Sequence, residues 1–250
     1  MTSLCLVSAV QAKDLRFAQI SDIRYSEENS APLKAMINDI NKQKDVEFTV
    51  FTGDNINKPS ITELESFLKE AKKLNKPFYI ILGDKDVNKL KHLSKAEYIE
   101  IVRKNVRKYK PETPNYTFEK DGVIFIAADG SKDVIPSTNG YYKDDALAIL
   151  DEELGKYPKN NVIILQHFPI IPPANKESYY TWKPESYMAV LAKHKNVKAI
   201  ISGHFGVNSE INHNGIVHIT TAGAPYYRII DILDCDTPTP TIWAQLNQTR

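Results

Sequence analysis

At 250 residues the chain suits one large domain or two small ones, and 42% hydrophobic with 25% charged residues is ordinary for a soluble globular protein. A formal net charge of +1 gives no electrostatic case for nucleic acid or an anionic membrane as partner. Of the two cysteines, Cys5 lies in an apolar leader and only Cys235 lies beyond it, so no internal disulfide is expected.

The chain opens on a short apolar run, Leu4 to Val10, followed by Gln11, Ala12 and the charged pair Lys13-Asp14. Val10-Gln11-Ala12 has the small-x-small form of a signal-peptide end. The run is too short to span a bilayer, and no basic segment precedes it. Residues 1–12 are therefore expected to be a signal peptide whose true start lies upstream. That reading predicts export, periplasmic or secreted; without a genuine leader a cytoplasmic location is expected. Residues 13–250 show no repeat, low-complexity tract or long linker, and are expected to form a single domain with no transmembrane segment.

Strands and helices then alternate. Leu15 to Ile20 reads as a strand, and a helix follows from about Pro32, with Ser30 as its N-cap. Leu33, Met36, Ile37 and Ile40 fall on one face of that helix. Phe48 to Phe51 is the next strand. Ser60 and Glu63 have capping-box spacing, opening a helix whose stripe is Leu64, Phe67, Leu68 and Ala71. Phe78 to Leu82 is a third strand. Ser94 and Glu97 form a second capping box, for a helix running to about Lys108. Tyr116 to Glu119 and Val123 to Ile126, joined through Asp121-Gly122, read as a β-hairpin. A helix near Asp145 to Lys156, a strand at Val162 to Leu165, a Pro-rich aromatic loop from Pro169 to Trp182, a helix from Pro184 and a strand at Val197 to Ile201 come next. The remainder reads as β: Ile216 to Thr220, Arg228 to Leu233 and Thr241 to Trp243. This order suggests two sheets with helices outside them, not one doubly wound sheet.

Polar residues gather just past the apolar strands. The first ends in Ser21-Asp22-Ile23-Arg24, the second in Gly53-Asp54, the third in Gly83-Asp84-Lys85-Asp86. The strand at Val162 ends in Gln166-His167, and the strand at Val197 ends in Gly203-His204-Phe205-Gly206. Each motif alone suits a turn. Parallel strands bring such ends to one edge, where α/β folds bind ligands. Three Asp and two His converging there form a plausible site for Zn, Mn or Fe.

In these motifs and their order, from Leu15 to about Leu233, the sequence resembles the calcineurin-like metallophosphoesterase family. The family pattern is Asp-x-His, Gly-Asp, Gly-Asn-His-Asp/Glu, a lone His and Gly-His-x-His. The resemblance implies an α/β (α+β) fold, a four-layer αββα sandwich of two mixed β-sheets flanked by helices. It also implies two metals bridged by Asp54. One would use Asp22, but Arg24 and Gly206 stand where its two histidines belong. The other would use Asp54, Asp84, His167 and His204, with Asp84 in place of Asn. The expected centre therefore holds one well-formed divalent metal (Mn, Fe or Zn) per chain, with a second as the alternative.

Arg24, Lys85 and Asp86 are the expected catalytic residues. Arg24 is expected to stand in electrostatically for the absent metal, because a planar guanidinium can pair with a carboxylate through two hydrogen bonds. Lys85 replaces the His that in the family stabilises or protonates the leaving group. It can stabilise negative charge but is a poor general acid at neutral pH. Tyr179, Tyr180 and Trp182 are the expected substrate-contacting aromatics. His92, His194, His213 and His218 match no ligand position and read as surface or strand residues. The expected activity is hydrolysis of a phosphomonoester or phosphodiester, small-molecule or macromolecular. The alternative is a relative that binds a phosphorylated ligand or a protein partner without turnover.

Overall fold

The computed structural model describes residues 14–91, 93–106, 111–135, 137–174 and 179–249. The expected leader and His92 lie outside them. The described chain builds two sheets. One has the order β11-β10-β1-β2-β3, with β1 at Leu15–Ile20, β2 at Phe48–Thr52, β3 at Phe78–Ile81, β10 at Tyr226–Leu233 and β11 at Thr241–Gln248. The other has the order β4-β5-β6-β7-β9-β8, with β4 at Tyr116–Lys120, β5 at Val123–Ala127, β6 at Val162–Leu165, β7 at Val197–Ser202, β8 at Ser209–His213 and β9 at Ile216–Thr220.

Both sheets are mixed. β1, β2 and β3 run parallel, as do β5, β6, β7 and β9, while β10, β4 and β8 each pair antiparallel. Helices cover the outer faces. α1 (Ala31–Ile40), α2 (Ile61–Ala71) and α3 (Lys95–Asn105) pack their apolar stripes on the first sheet, and α4 (Asp144–Lys156) and α5 (Pro184–Leu191) pack on the second. The order is the expected αββα sandwich.

Between the sheets lies a third apolar layer, including Phe17, Phe48, Val50, Phe125, Ile163 and Ile201. Phe17 stacks on Phe48 at 4.9 Å between ring centroids, and Phe125 meets Phe48 edge-on at 5.3 Å. Aromatic pairs of this kind add about 0.5–1.5 kcal/mol beyond their area burial. At the carboxyl ends of the strands this layer becomes polar. The buried Gln19 donates to the Ser202 carbonyl at 2.9 Å and to Thr52 at 3.0 Å, and accepts from Thr221 at 2.6 Å. One β1 side chain thus ties the two sheets together beside the strand ends.

Two caps differ from expectation. Ser30 sits in the helical region and its hydroxyl receives Lys34 at 3.0 Å, so it makes no cap bond to α1. Ser60 accepts from the Glu63 amide, but the Glu63 carboxylate turns to the Lys58 amide, so only half of that box forms. The Ser94–Glu97 box on α3 is complete.

Candidate metal centre

The two half-sheets deliver different chemistry to one place. β1, β2 and β3 end in the carboxylates Asp22, Asp54 and Asp84, and β6 and β7 end in the imidazoles His167 and His204. One ligand atom each from Asp22, Asp54, His167 and His204 lie within 4.8 Å of one another. Asp84 Oδ1 joins them, 3.1 Å from His204 Nδ1 and 3.5 Å from His167 Nε2.

The backbone turns sharply to achieve this. Asp22 (φ 49°), Arg24 (φ 44°), Asp54 (φ 51°), His204 (φ 67°) and Tyr179 (φ 72°) are all left-handed. Each such non-glycine residue costs about 1–2 kcal/mol, and clusters of them mark functional sites. Close packing adds a second demand. A Cβ on Gly203 would lie 1.7 Å from Ser21 Oγ and 2.6 Å from an Asp22 oxygen. Only glycine lets the β7 end pass the β1 end.

Each imidazole is fixed from outside. His167 Nδ1 donates to the Thr52 carbonyl at 2.7 Å, and His204 Nε2 donates to the Thr138 carbonyl at 2.7 Å. A carbonyl only accepts, so these bonds set both tautomers. The remaining nitrogens, His167 Nε2 and His204 Nδ1, therefore face inward, 3.0 Å apart and within hydrogen-bond reach of each other. Such outer-nitrogen anchoring orients metal-ligating histidines.

The carboxylates show a matching pattern. Asp22 Oδ2 accepts from Ser21 and from the His204 amide, and Asp54 Oδ1 accepts from the Lys85 amide. Their other oxygens, Asp22 Oδ1 and Asp54 Oδ2, are buried without a hydrogen-bond partner, and so is Asp84 Oδ1. Buried polar atoms normally find partners. Asp54 Oδ1 and the orphaned Asp84 Oδ1 face the two inward imidazole nitrogens, a donor set that fits a divalent cation with oxygen and nitrogen ligands.

The charges press on one another. Burial pushes the Asp22 carboxyl up, aided by the Asp54 charge and opposed by His167. Burial also works against the Asp84 carboxylate, but its contacts with His167 and His204 outweigh it and hold the group well below the usual carboxylate range. Burial disfavours a charged His167, yet Asp54 and Asp84 hold its pKa well above the ordinary value. The Lys85 ammonium, 2.6 Å from Asp84 Oδ2, is disfavoured by burial, but Asp84 and Asp54 still hold its pKa above the ordinary value.

Arg24 reaches the cluster through Nη2, 3.3 Å from Asp54 Oδ2 and 3.7 Å from Asp22 Oδ1. Arg24 and Lys85 both border open space, with side chains 49% and 42% exposed. A cavity of about 200 Å³ opens over Asp84 and Lys85, with Lys91, Ser137 and Thr138 on its walls.

Asp86 is placed differently from the expectation that grouped it with Arg24 and Lys85. It is fully buried and accepts from the Asn55, Ile56 and Gly83 amides and from Asn55 Nδ2, at 2.7–3.1 Å. Burial and the Asp54 charge push its carboxyl up to about 7. Its carboxylate clamps the β2 and β3 ends together, which is a positioning role. Of the three expected aromatics, Tyr179 packs beside His204, with ring centroids 5.7 Å apart. Tyr180 and Trp182 bracket Gly140 through backbone hydrogen bonds, and the Trp182 side chain is exposed. Thr52 and Thr138, whose carbonyls set the imidazoles, carried no sequence signal, because any residue supplies a carbonyl.

A family model for calcineurin-like phosphoesterases matches residues 15–208. The chain belongs to the calcineurin-like phosphoesterase family. No curated protein matches it in sequence. Among solved structures, a dimetal phosphatase from Danio rerio is similar with a TM-score of 0.70 and 15% identity, covering 94% of this chain and 99% of that one. GAP50, the anchor in the inner membrane complex of Plasmodium, is similar with a TM-score of 0.59 and 15% identity, covering 95% and 89%. Purple acid phosphatase PPD1 from yellow lupin (Lupinus luteus) seeds is similar with a TM-score of 0.66 and 13% identity, covering 95% and 52%. At these identities the likeness is one of fold. The family is one of metal-dependent phosphoesterases, and Asp22, Asp54, His167 and His204 form a group that could hold a metal ion in this member.

Proposed function

We propose that this protein hydrolyses phosphate esters at one divalent metal held by Asp54, Asp84, His167 and His204. The observation that carries the reading is the pair of inward imidazole nitrogens, 3.0 Å apart, facing Asp54 Oδ1 and the unpartnered Asp84 Oδ1. When bound, the metal supplies Lewis acidity toward a phosphoryl oxygen and activates a water. Thr52 and Thr138 keep both imidazoles in the ligating tautomer. Asp86 holds the Asp54 and Asp84 loops at fixed separation. Arg24 and Lys85 present positive charge at the mouth and hold non-bridging phosphoryl oxygens, which gain charge as the ester bond breaks. Lys85 keeps its proton at neutral pH, so it stabilises the leaving group by charge and not by proton transfer.

The test is elemental analysis of purified protein beside hydrolysis of p-nitrophenyl phosphate and bis-p-nitrophenyl phosphate. The expected result is about one Mn, Fe or Zn per chain with turnover of at least one ester, and loss of both in His167→Ala. A metal-loaded protein that turns over neither ester counts against hydrolysis. One observation favours the second reading, binding of a phosphorylated ligand without turnover: Lys85, which stands where the family pattern has its leaving-group His, is engaged with Asp84 at 2.6 Å. That reading requires retained binding of inorganic phosphate together with no hydrolysis.

A further inference from the structure

We infer that Arg24 fills the second cation position of this centre, making a metal–guanidinium pair that takes one phosphate ester anion. The inference rests on the metal-dependent reading above and specifies its composition. The buried cluster divides into two halves at Asp54. Asp54 Oδ1 faces the imidazole side, 3.4 Å from His167 Nε2, where Asp84 Oδ1 also lies. Asp54 Oδ2 faces the other side, where Arg24 Nη2 lies 3.3 Å from it and 3.7 Å from Asp22 Oδ1. These are the two oxygens left without hydrogen-bond partners on that side. One carboxylate thus bridges a nitrogen-ligand half and a guanidinium half.

Among the described residues, the histidines of the cluster, His167 and His204, both lie on the other side. Gly206, two residues past His204, contributes no side chain, and a Cβ built there meets nothing within 4 Å. The partners of Arg24 are the two buried carboxylates and no surface acid. Charge counting agrees. Among the groups facing the ion in the metal-loaded centre, where both imidazoles are neutral ligands, Asp22, Asp54 and Asp84 oppose Arg24 and Lys85 and leave one net negative charge before the ion is counted. One divalent ion turns that into one net positive charge, which matches a phosphate ester anion. A second ion in place of Arg24 would need its own ligands, and the sequence supplies only Asp22 and a shared Asp54. The Arg24 side chain is half exposed, so solvent and a phosphoryl oxygen can reach its guanidinium, which can bind that oxygen in the planar two-point manner of Arg.

The experiment compares wild type with the double variant Arg24→His, Gly206→His. Both positions are left-handed, a conformation in which His is enriched and which His204 already adopts here. Metal per chain is read by elemental analysis, and Mn(II)-loaded protein is read by electron paramagnetic resonance. The expected result is one metal with an isolated Mn(II) spectrum in wild type, and two metals with a spin-coupled spectrum in the variant. One metal in a variant whose circular dichroism is unchanged overturns the inference and leaves the hydrolase reading standing, as does two metals in wild type. No metal in wild type, even after addition of Mn, Fe or Zn, overturns the hydrolase reading itself. Should the double variant not fold, Arg24→Gln serves. It is expected to keep one metal while losing at least tenfold in affinity for inorganic phosphate, and unchanged phosphate affinity overturns the inference.

Discussion

At the residue scale, Lys85 is the side chain that, under the proposed hydrolysis, decides what kind of ester the centre opens. Its ammonium lies 2.6 Å from Asp84, and the surrounding carboxylates hold its pKa above the ordinary value, so it is a poor general acid near neutral pH. Esters with good leaving groups need no such proton. The expected behaviour is a steep dependence of rate on leaving-group acidity, with p-nitrophenyl phosphate far ahead of an alkyl phosphate. Lys85→His places an imidazole where the family pattern has one, and should raise the alkyl rate by on the order of tenfold or more, part of a general acid's usual contribution. An unchanged ratio of the two rates would show that leaving-group protonation is not what limits the enzyme. Most of this site is legible in the sequence, because strand-end Gly-Asp and Gly-His pairs keep their spacing. Asp86 was not, since its placement depends on three amides brought in from Asn55, Ile56 and Gly83. A carboxylate in a motif reads the same whether it faces the mouth or the scaffold.

At the scale of elements, apolar runs of four to six residues locate the buried strands, and the helices follow from their caps and stripes. β8 escaped that reading because Ser209–His213 offers one large apolar residue, Ile211, and lies at the sheet edge. The β8–β9 hairpin nevertheless carries a titration. His218 on β9 is buried, and His213 on β8 lies 6.2 Å from it, ring to ring. Burial first, and then the His213 charge, lower the His218 pKa to about 4. The folded chain therefore resists a proton that the unfolded chain accepts below about 6.5. Stability from this group is full above pH 6.5 and falls as pH drops toward 4, by up to about 3 kcal/mol. Urea midpoints of wild type and His218→Gln, measured from pH 7 to pH 4.5, should converge as the pH falls. Parallel curves would show that His218 is protonated in the fold. Both histidines line a cavity of about 470 Å³ between α5 and the hairpin, at the opposite end of β7 from His204.

Across the whole molecule, the centre is also a fastener. The carboxylates Asp22, Asp54 and Asp84 come from one sheet, and His167 and His204 come from the other. Between them the sheets share an apolar layer and a small polar bridge at Gln19. Without a cation, three buried carboxylate oxygens at that junction have no hydrogen-bond partner, and three carboxylates crowd where the two sheets meet. A metal that binds the folded chain alone adds about 2.7 kcal/mol at a free concentration one hundred times its dissociation constant. For a chain of 250 residues that corresponds to roughly 5–10 °C in melting temperature. Because the ligands straddle both sheets, the shift should move a single transition and leave no early step from either sheet alone. Differential scanning calorimetry with and without a chelator tests this directly. His167→Ala should melt at one temperature in both conditions, since it removes the imidazole that faces both Asp54 and Asp84. If chelation stripped the metal from wild type and left its melting temperature unchanged, the ion would be bound at the mouth, outside the buried junction between the sheets.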